Sequence, residues 1–188
     1  MNVRAFFALR IPERITRKLA DYADELCHFD RGLEAHWVDS SSYHLTLCFL
    51  GEVSLEQVEQ LELRTREALE ARRFSLRLDH IGYYAVNPSL SVVAAMTSEQ
   101  QELTALHSSL VELAIQSGLV YDEANFLPHV TLARLPADNQ FALDNDQLAN
   151  LDLTFAADAV VLMQSRLGEN GSIYTPLFEV ELPAIAAN

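Results

Sequence analysis

Residues 42–53 read SYHLTLCFLGEV, and residues 126–136 read FLPHVTLARLP. Both have the apolar alternation of a strand, with Leu45 and Leu47 in the first and Val130 and Leu132 in the second. The positions between them hold His44 and Thr46, then His129 and Thr131. Side chains two apart on a strand project from one face. Each segment therefore sets an imidazole beside a hydroxyl, with its aliphatic residues turned the other way into packing. Threonine is stiff at χ1, so its hydroxyl is well placed once the backbone is fixed. A lone histidine on a strand is more often structural than chemical. Two copies of the pair resist that explanation, because four buried polar groups without partners oppose folding.

The chain around the two motifs repeats as well. Val3–Leu9 predicts a strand. Pro12 opens a helix with Ile15, Leu19, Tyr22/Ala23 and Leu26 on one stripe. Residues 32–42 form a polar connection, and His44–Leu50 is a strand closed by Gly51. Ser54 with Gln57 makes a capping box for a helix carried by Val58, Leu61 and Leu69 to about Arg72. Phe74, Leu76 and Leu78 mark a strand, and residues 86–89 a turn. A similar phrase then begins. Leu90–Met96 is a strand. Ser98 with Gln101 makes a second capping box for a helix through Leu103, Leu106, Leu110 and Leu113/Ala114, stopped at Gly118. His129–Leu135 is a strand, residues 144–150 a short helix, and Leu151–Arg166 and Ser172–Leu182 two strands joined at GENG (168–171). Ala5 lies 39 positions before His44, and Val92 lies 37 before His129. This spacing predicts one domain over residues 1–188 made of two related lobes, approximately 1–85 and 90–182. Lobes facing each other across a pseudo-two-fold would bring both His-x-Thr strands to one cleft.

Composition narrows the partners. The length of 188 residues suits a single domain, and the apolar runs are far shorter than a membrane span. The N-terminus reads as a first strand rather than a signal peptide. Cys27 and Cys48 fit no disulfide or metal spacing, so a reducing cytoplasm is expected. A net charge of −14 argues against binding an extended duplex. Eleven of the thirteen cations lie at or before Arg77; beyond it, 14 acidic residues face only Arg134 and Arg166. Arg134 follows the second motif closely, which favours an anion-binding role over a solvated surface one.

Two imidazoles and two hydroxyls around one cleft suit a phosphodiester. One imidazole takes a proton from the attacking oxygen and the other gives one to the leaving oxygen. A pKa of about 6.5 allows either task near neutrality. The hydroxyls of Thr46 and Thr131 would hold the non-bridging oxygens, and Arg134 would add a charge-assisted bond. A metal site on His44 and His129 is a poor alternative, since no acidic or thiolate companions stand at ligand spacing. A phosphate or nucleotide receptor without turnover would use the same four groups. His28, His36, His80 and His107 lack the pattern and read as structural or surface residues. Trp37 and the tyrosines read as core or rim packing rather than a base-stacking surface.

The stretches HLTLCFLGEV and PHVTLAR, with FFALRIP at the start and YTPL near the end, resemble the two-histidine phosphoesterases. The closest branch is the bacterial RNA 2′,3′-cyclic phosphodiesterases, also called 2′-5′ RNA ligases. The resemblance implies an α+β, bilobal pseudo-two-fold fold, with two antiparallel β-sheets lining a central cleft and helices outside. It implies hydrolysis of a terminal 2′,3′-cyclic phosphate to a 2′-phosphomonoester without metal or cofactor, and a reversible 2′-5′ joining activity in some members. His44 falls at the proton donor and His129 at the acceptor, with Thr46, Thr131 and Arg134 on the phosphate; Arg166 and Tyr174 are further candidates. A small substrate such as ADP-ribose 1″,2″-cyclic phosphate is the alternative. Relatives often carry arginines before the strand at Ser91–Met96 and before YTPL; here those stretches read NPSLSVV and RLGENGSI, leaving only Arg166. The expected partner is therefore a short RNA end or a cyclic nucleotide, bound by a monomer that grips long RNA weakly.

Overall fold

β1 (Asn2–Leu9) buries Ala5, Phe7 and Leu9 in the main core and turns Phe6 to the opposite face, which lines the cleft. The computed structural model describes residues 1–121, 126–139, 141–143 and 151–185. After β1 the order is α1 (Glu13–Cys27), β2 (His36–Trp37), a 3₁₀ turn (Ser40–Ser42), β3 (Leu45–Ser54), α2 (Leu55–Ala68), β4 (Phe74–Leu78), β5 (His80–Asn87), β6 (Leu90–Met96), α3 (Gln101–Gln116), β7 (His129–Pro136), β8 (Leu153–Ala157), β9 (Ala159–Gly168) and β10 (Gly171–Glu181). One antiparallel sheet has the order β10-β9-β1-β3-β7-β6-β5, with β2 paired to β7; a second consists of β4 and β8. About the β3–β7 boundary the order is pseudo-symmetric. β1 and β3, joined through α1, stand on one side; β6 and β7, joined through α3, stand on the other.

The helices follow from their sequences. Ile15, Leu19, Ala23 and Leu26 form the buried stripe of α1. Ser54 and Gln57 form the expected capping box at α2. α3 ends where Gly118 takes a φ of +78°, a left-handed turn in which Gly118 N–H bonds to Ile115 and Leu119 N–H to Ala114. The two bonds satisfy carbonyls left over at the helix end. α3 packs on β3, and α1 touches β7.

Several expectations need correction. Ser98 does not cap α3: its N–H is taken by the Asp79 carboxylate, and the helix starts after Gln100, with no side-chain cap. α2 ends at Ala68, short of Arg72. Residues 80–87 form β5, whose mixed burial hid its period. The run Leu151–Arg166 is two strands, because β8 leaves for β4 while β9 pairs with β1 and β10. The polar connection contains β2 and the 3₁₀ turn. The short helix expected at 144–150 lies outside the described residues.

The central strands are bulged. Phe7 and Ala8 of β1 oppose Cys48 and Thr46, so Leu47 is an extra residue in β3. Val93 and Ala94 of β6 oppose Ala133 and Thr131, so Leu132 is an extra residue in β7. The irregularity falls directly after the threonine of each motif. A bulge breaks the alternation of faces and re-aims the side chains beyond it. Leu47 with Cys48, and Leu132 with Ala133, are accordingly buried as consecutive pairs. A second bulge comes at Leu50, where Gly51 takes a φ of +71° that glycine adopts without strain.

Candidate active site

β3 and β7 share one ladder pair, Leu45 opposite Val130, both buried. The same antiparallel register sets His44 across from Thr131 and Thr46 across from His129. All four then share the face opposite the core. The two histidines then stand diagonally across the strand boundary, near enough for the charge of His129 to act on His44. Among the described residues, the structure thus brings together both halves of the repeated motif.

Each imidazole is oriented in the same way. The His44 Nδ1–H donates to the Ser42 carbonyl at 2.8 Å, and the His129 Nδ1–H donates to the Leu127 carbonyl at 2.7 Å. A carbonyl only accepts, so each bond fixes the tautomer and leaves Nε2 as the unprotonated nitrogen. His44 is wedged between Phe6, at 4.9 Å between centroids, and Tyr174, edge-on at 4.6 Å. Tyr84 meets His129 edge-on at 5.8 Å, its oxygen 3.2 Å from Nε2 and 3.3 Å from Nδ1. An oxygen so nearly equidistant from both nitrogens stands over the ring, because an in-plane oxygen would collide with Cε1.

The electrostatics favour neutral rings. Burial lowers both imidazole pKa values below the usual 6.5, against the opposing pull of the backbone bonds. Arg134 lowers both further, and the charge of His129 adds to the effect on His44. The bulge at Leu132 explains why Arg134 reaches them. Five positions from His129, it would face the core on a regular strand; the extra residue returns it to the cleft. Among the described residues Arg134 has no carboxylate partner. A half-buried cation beside two neutral imidazoles is prepared for an anion.

A cleft of about 750 Å³ runs from His44 and Thr46 over β1, β9 and β10, and Arg166 and Tyr174 line it. A smaller recess of about 200 Å³ holds Arg134, His36 and Ser42, and shares Tyr174 with the larger one. Arg166 is exposed at the rim. Sequence reasoning missed Arg4, which β1 carries into the cleft 4.9 Å above the Phe49 ring. Phe49, five residues after His44, reaches the cleft by the same shift of faces that returns Arg134. Tyr84 was missed too, and Ser42 and Leu127 act through carbonyls that no residue type announces. His36, expected to be structural or surface, lies in the recess with Arg134. His28 and His80 bond locally, to the Glu25 carbonyl and to Asp79. Trp37 packs edge-on against Phe141.

Replacing Arg134 with Gln removes a cation that disfavours the imidazolium form of both rings. Both pKa values are expected to rise. A proton NMR titration of the His44 and His129 Cε1–H resonances checks this; unchanged midpoints would place Arg134 too far away to act on them.

Comparison with known proteins shows the family and the fold. The sequence profile of the 2′-5′ RNA ligase superfamily matches residues 6–169. An RNA 2′,3′-cyclic phosphodiesterase of Thermotoga maritima is 26% identical over 185 residues, 95% of each chain. The protein of that name from Escherichia coli is 29% identical over 174 residues, 93% of each chain. The crystal structure of E. coli LigT complexed with 3′-AMP superposes with a TM-score of 0.80 at 27% identity, covering 97% of this chain and 99% of that one. The chain belongs to the 2′-5′ RNA ligase superfamily.

Proposed function

We propose that the protein is an RNA 2′,3′-cyclic phosphodiesterase, opening a terminal cyclic phosphate to a 2′-phosphomonoester, with a reversible 2′-5′ joining activity open to the same site. The observation that carries this is the pair of imidazoles on adjacent strands, each locked through Nδ1 to a carbonyl two residues upstream, with Arg134 beside both. The names of the relatives and the 3′-AMP complex of E. coli LigT support a nucleotide-sized substrate.

Arg134 and the hydroxyls of Thr46 and Thr131 hold the non-bridging oxygens. His129 Nε2 takes a proton from water as its oxygen attacks phosphorus. The P–O3′ bond breaks, and His44 Nε2 delivers a proton to the departing oxygen. The negative phosphate favours the protonated form of a ring that burial and Arg134 otherwise keep neutral, so the substrate itself assembles the acid. Joining uses the same transfers with a 5′-hydroxyl in place of water: its oxygen attacks phosphorus and loses its proton to His129, and His44 protonates the departing O3′. Arg166 and Tyr174 bound the nucleoside.

We further infer that residues 1–85 and 90–182 are interleaved copies of one unit within a single domain, since strands from both build one sheet. A cytoplasmic monomer acting on short RNA ends is the expected setting. No helix among the described residues is long and apolar enough to cross a membrane, and Cys27 and Cys48 are unpaired.

The test is an oligonucleotide ending in a 2′,3′-cyclic phosphate, incubated in EDTA. A 2′-monoester is expected; a 3′-monoester, or no turnover, would contradict the assignment. His44→Ala and His129→Ala should each lower kcat by about 10²–10⁴-fold while keeping nucleotide binding. In the same assay kcat/KM should follow a bell. It rises as the base loses its proton and falls as the acid loses its own. Both pKa values are lowered in the free enzyme, so the maximum should lie below pH 6.5.

Weak polymer binding has its own check. Arg4, Arg134 and Arg166 line the two recesses. Three phosphate contacts on single-stranded RNA give a slope of log Kobs against log salt of about −2. A slope near −5 would require several more contacts than these recesses supply.

A further inference from the structure

α3 carries a polar residue on its otherwise apolar inner stripe. His107 follows Leu106 and precedes Leu110, both fully buried. Its Nδ1–H donates to the Leu47 carbonyl at 2.5 Å. Leu47 is the extra residue of the β3 bulge, whose main chain the ladder leaves without its regular partner. The ring of His107 also lies flat on Phe126, with centroids 4.0 Å apart and planes within 4°, and Tyr121 meets it edge-on at 6.0 Å. Phe126 directly precedes Leu127, the residue whose carbonyl orients His129. One side chain thus touches the main chain that closes the first motif and the ring that anchors the approach to the second.

The other bulge has no such dependence. The Leu132 carbonyl accepts from the Val38 main-chain N–H at 2.9 Å, a donor that substitution leaves in place. The two motifs are alike in sequence and bulge, yet one is held by backbone and the other by an imidazole.

We propose that His107 is a positioning residue for both His44 and His129: its donor holds the β3 bulge, and its stacked face holds the segment leading into β7. This rests on the assignment of those two rings as the proton-transfer pair. The two functions separate by substitution. His107→Phe keeps a flat ring for Phe126 but cannot donate. His107→Asn keeps a donor where Nδ1 stood but offers no ring. Phe126→Leu removes the stack and leaves His107 intact.

Each variant should lower kcat on the cyclic-phosphate oligonucleotide by roughly 10- to 100-fold with KM changed less than about threefold, as expected when reacting groups are displaced without loss of contacts. The imidazole NMR signals distinguish positioning from a general loss of stability. His107→Phe should move the His44 resonances and spare those of His129; His107→Asn and Phe126→Leu should do the reverse. Folded variants with wild-type kcat and unmoved resonances would overturn the proposal. So would uniform line broadening of all histidine signals in each variant, the mark of a merely structural residue. The NMR readout needs no turnover, so a wild-type protein inactive on cyclic phosphates would sink the substrate assignment while leaving the positioning role to be decided by the spectra.

Discussion

A strand turns successive side chains to opposite faces, so residues an odd number apart part company on a regular strand. His129 and Arg134 are five apart, as are His44 and Phe49. The single extra residue at Leu132, and its counterpart at Leu47, overrides that rule. The layout of the cleft depends on it. The bulge buries two consecutive small or aliphatic residues, brings Arg134 beside both imidazoles and sets Phe49 in the larger recess under Arg4. Each displaced carbonyl finds a donor from outside the ladder, Val38 on one side and His107 on the other. A bulge with an unsatisfied buried carbonyl would be costly.

Placement sets the electrostatics. Burial and Arg134 act in the same direction on His44 and His129, lowering the pKa of both and favouring the neutral rings. In the proposed reaction the arriving phosphate offsets the arginine's charge and allows one ring to carry a proton. The pseudo-symmetry of the arrangement, with a carbonyl behind each Nδ1 and a tyrosine against each ring, makes the two histidines near-equivalent until a substrate with distinct attacking and leaving oxygens lies between them. That equivalence is what a reaction run in both directions needs.

The motif strands, and the shared face of His44 with Thr46 and of His129 with Thr131, were legible because period-two alternation and residue type carry that information locally. α1, the α2 capping box and the Gly118 stop were legible for the same reason. β5 was not, since its burial pattern is mixed, and the split between β8 and β9 depends on pairing across the chain. The bulges were invisible: nothing in LTLC or VTLA marks an extra residue. Proximity to the second motif singled out Arg134, but only the broken alternation explains how it faces the cleft. Arg4 is one of eleven cations at or before Arg77 that the sequence does not tell apart, because sheet order alone places β1 between β3 and β9. Ser42, Leu127 and Leu47 act through carbonyls, which every residue possesses, and His107 looked like a helix histidine of no consequence.

The central claim is that two imidazoles approach one phosphorus from different oxygens. A crystal structure with a nucleoside vanadate, a five-coordinate mimic of the reacting phosphate, tests it most directly. The account predicts His44 Nε2 and His129 Nε2 each in hydrogen-bond range of a different apical oxygen, with the Thr46 and Thr131 hydroxyls and Arg134 on the equatorial ones. Vanadate seated away from either ring, or both rings on one oxygen, would contradict it.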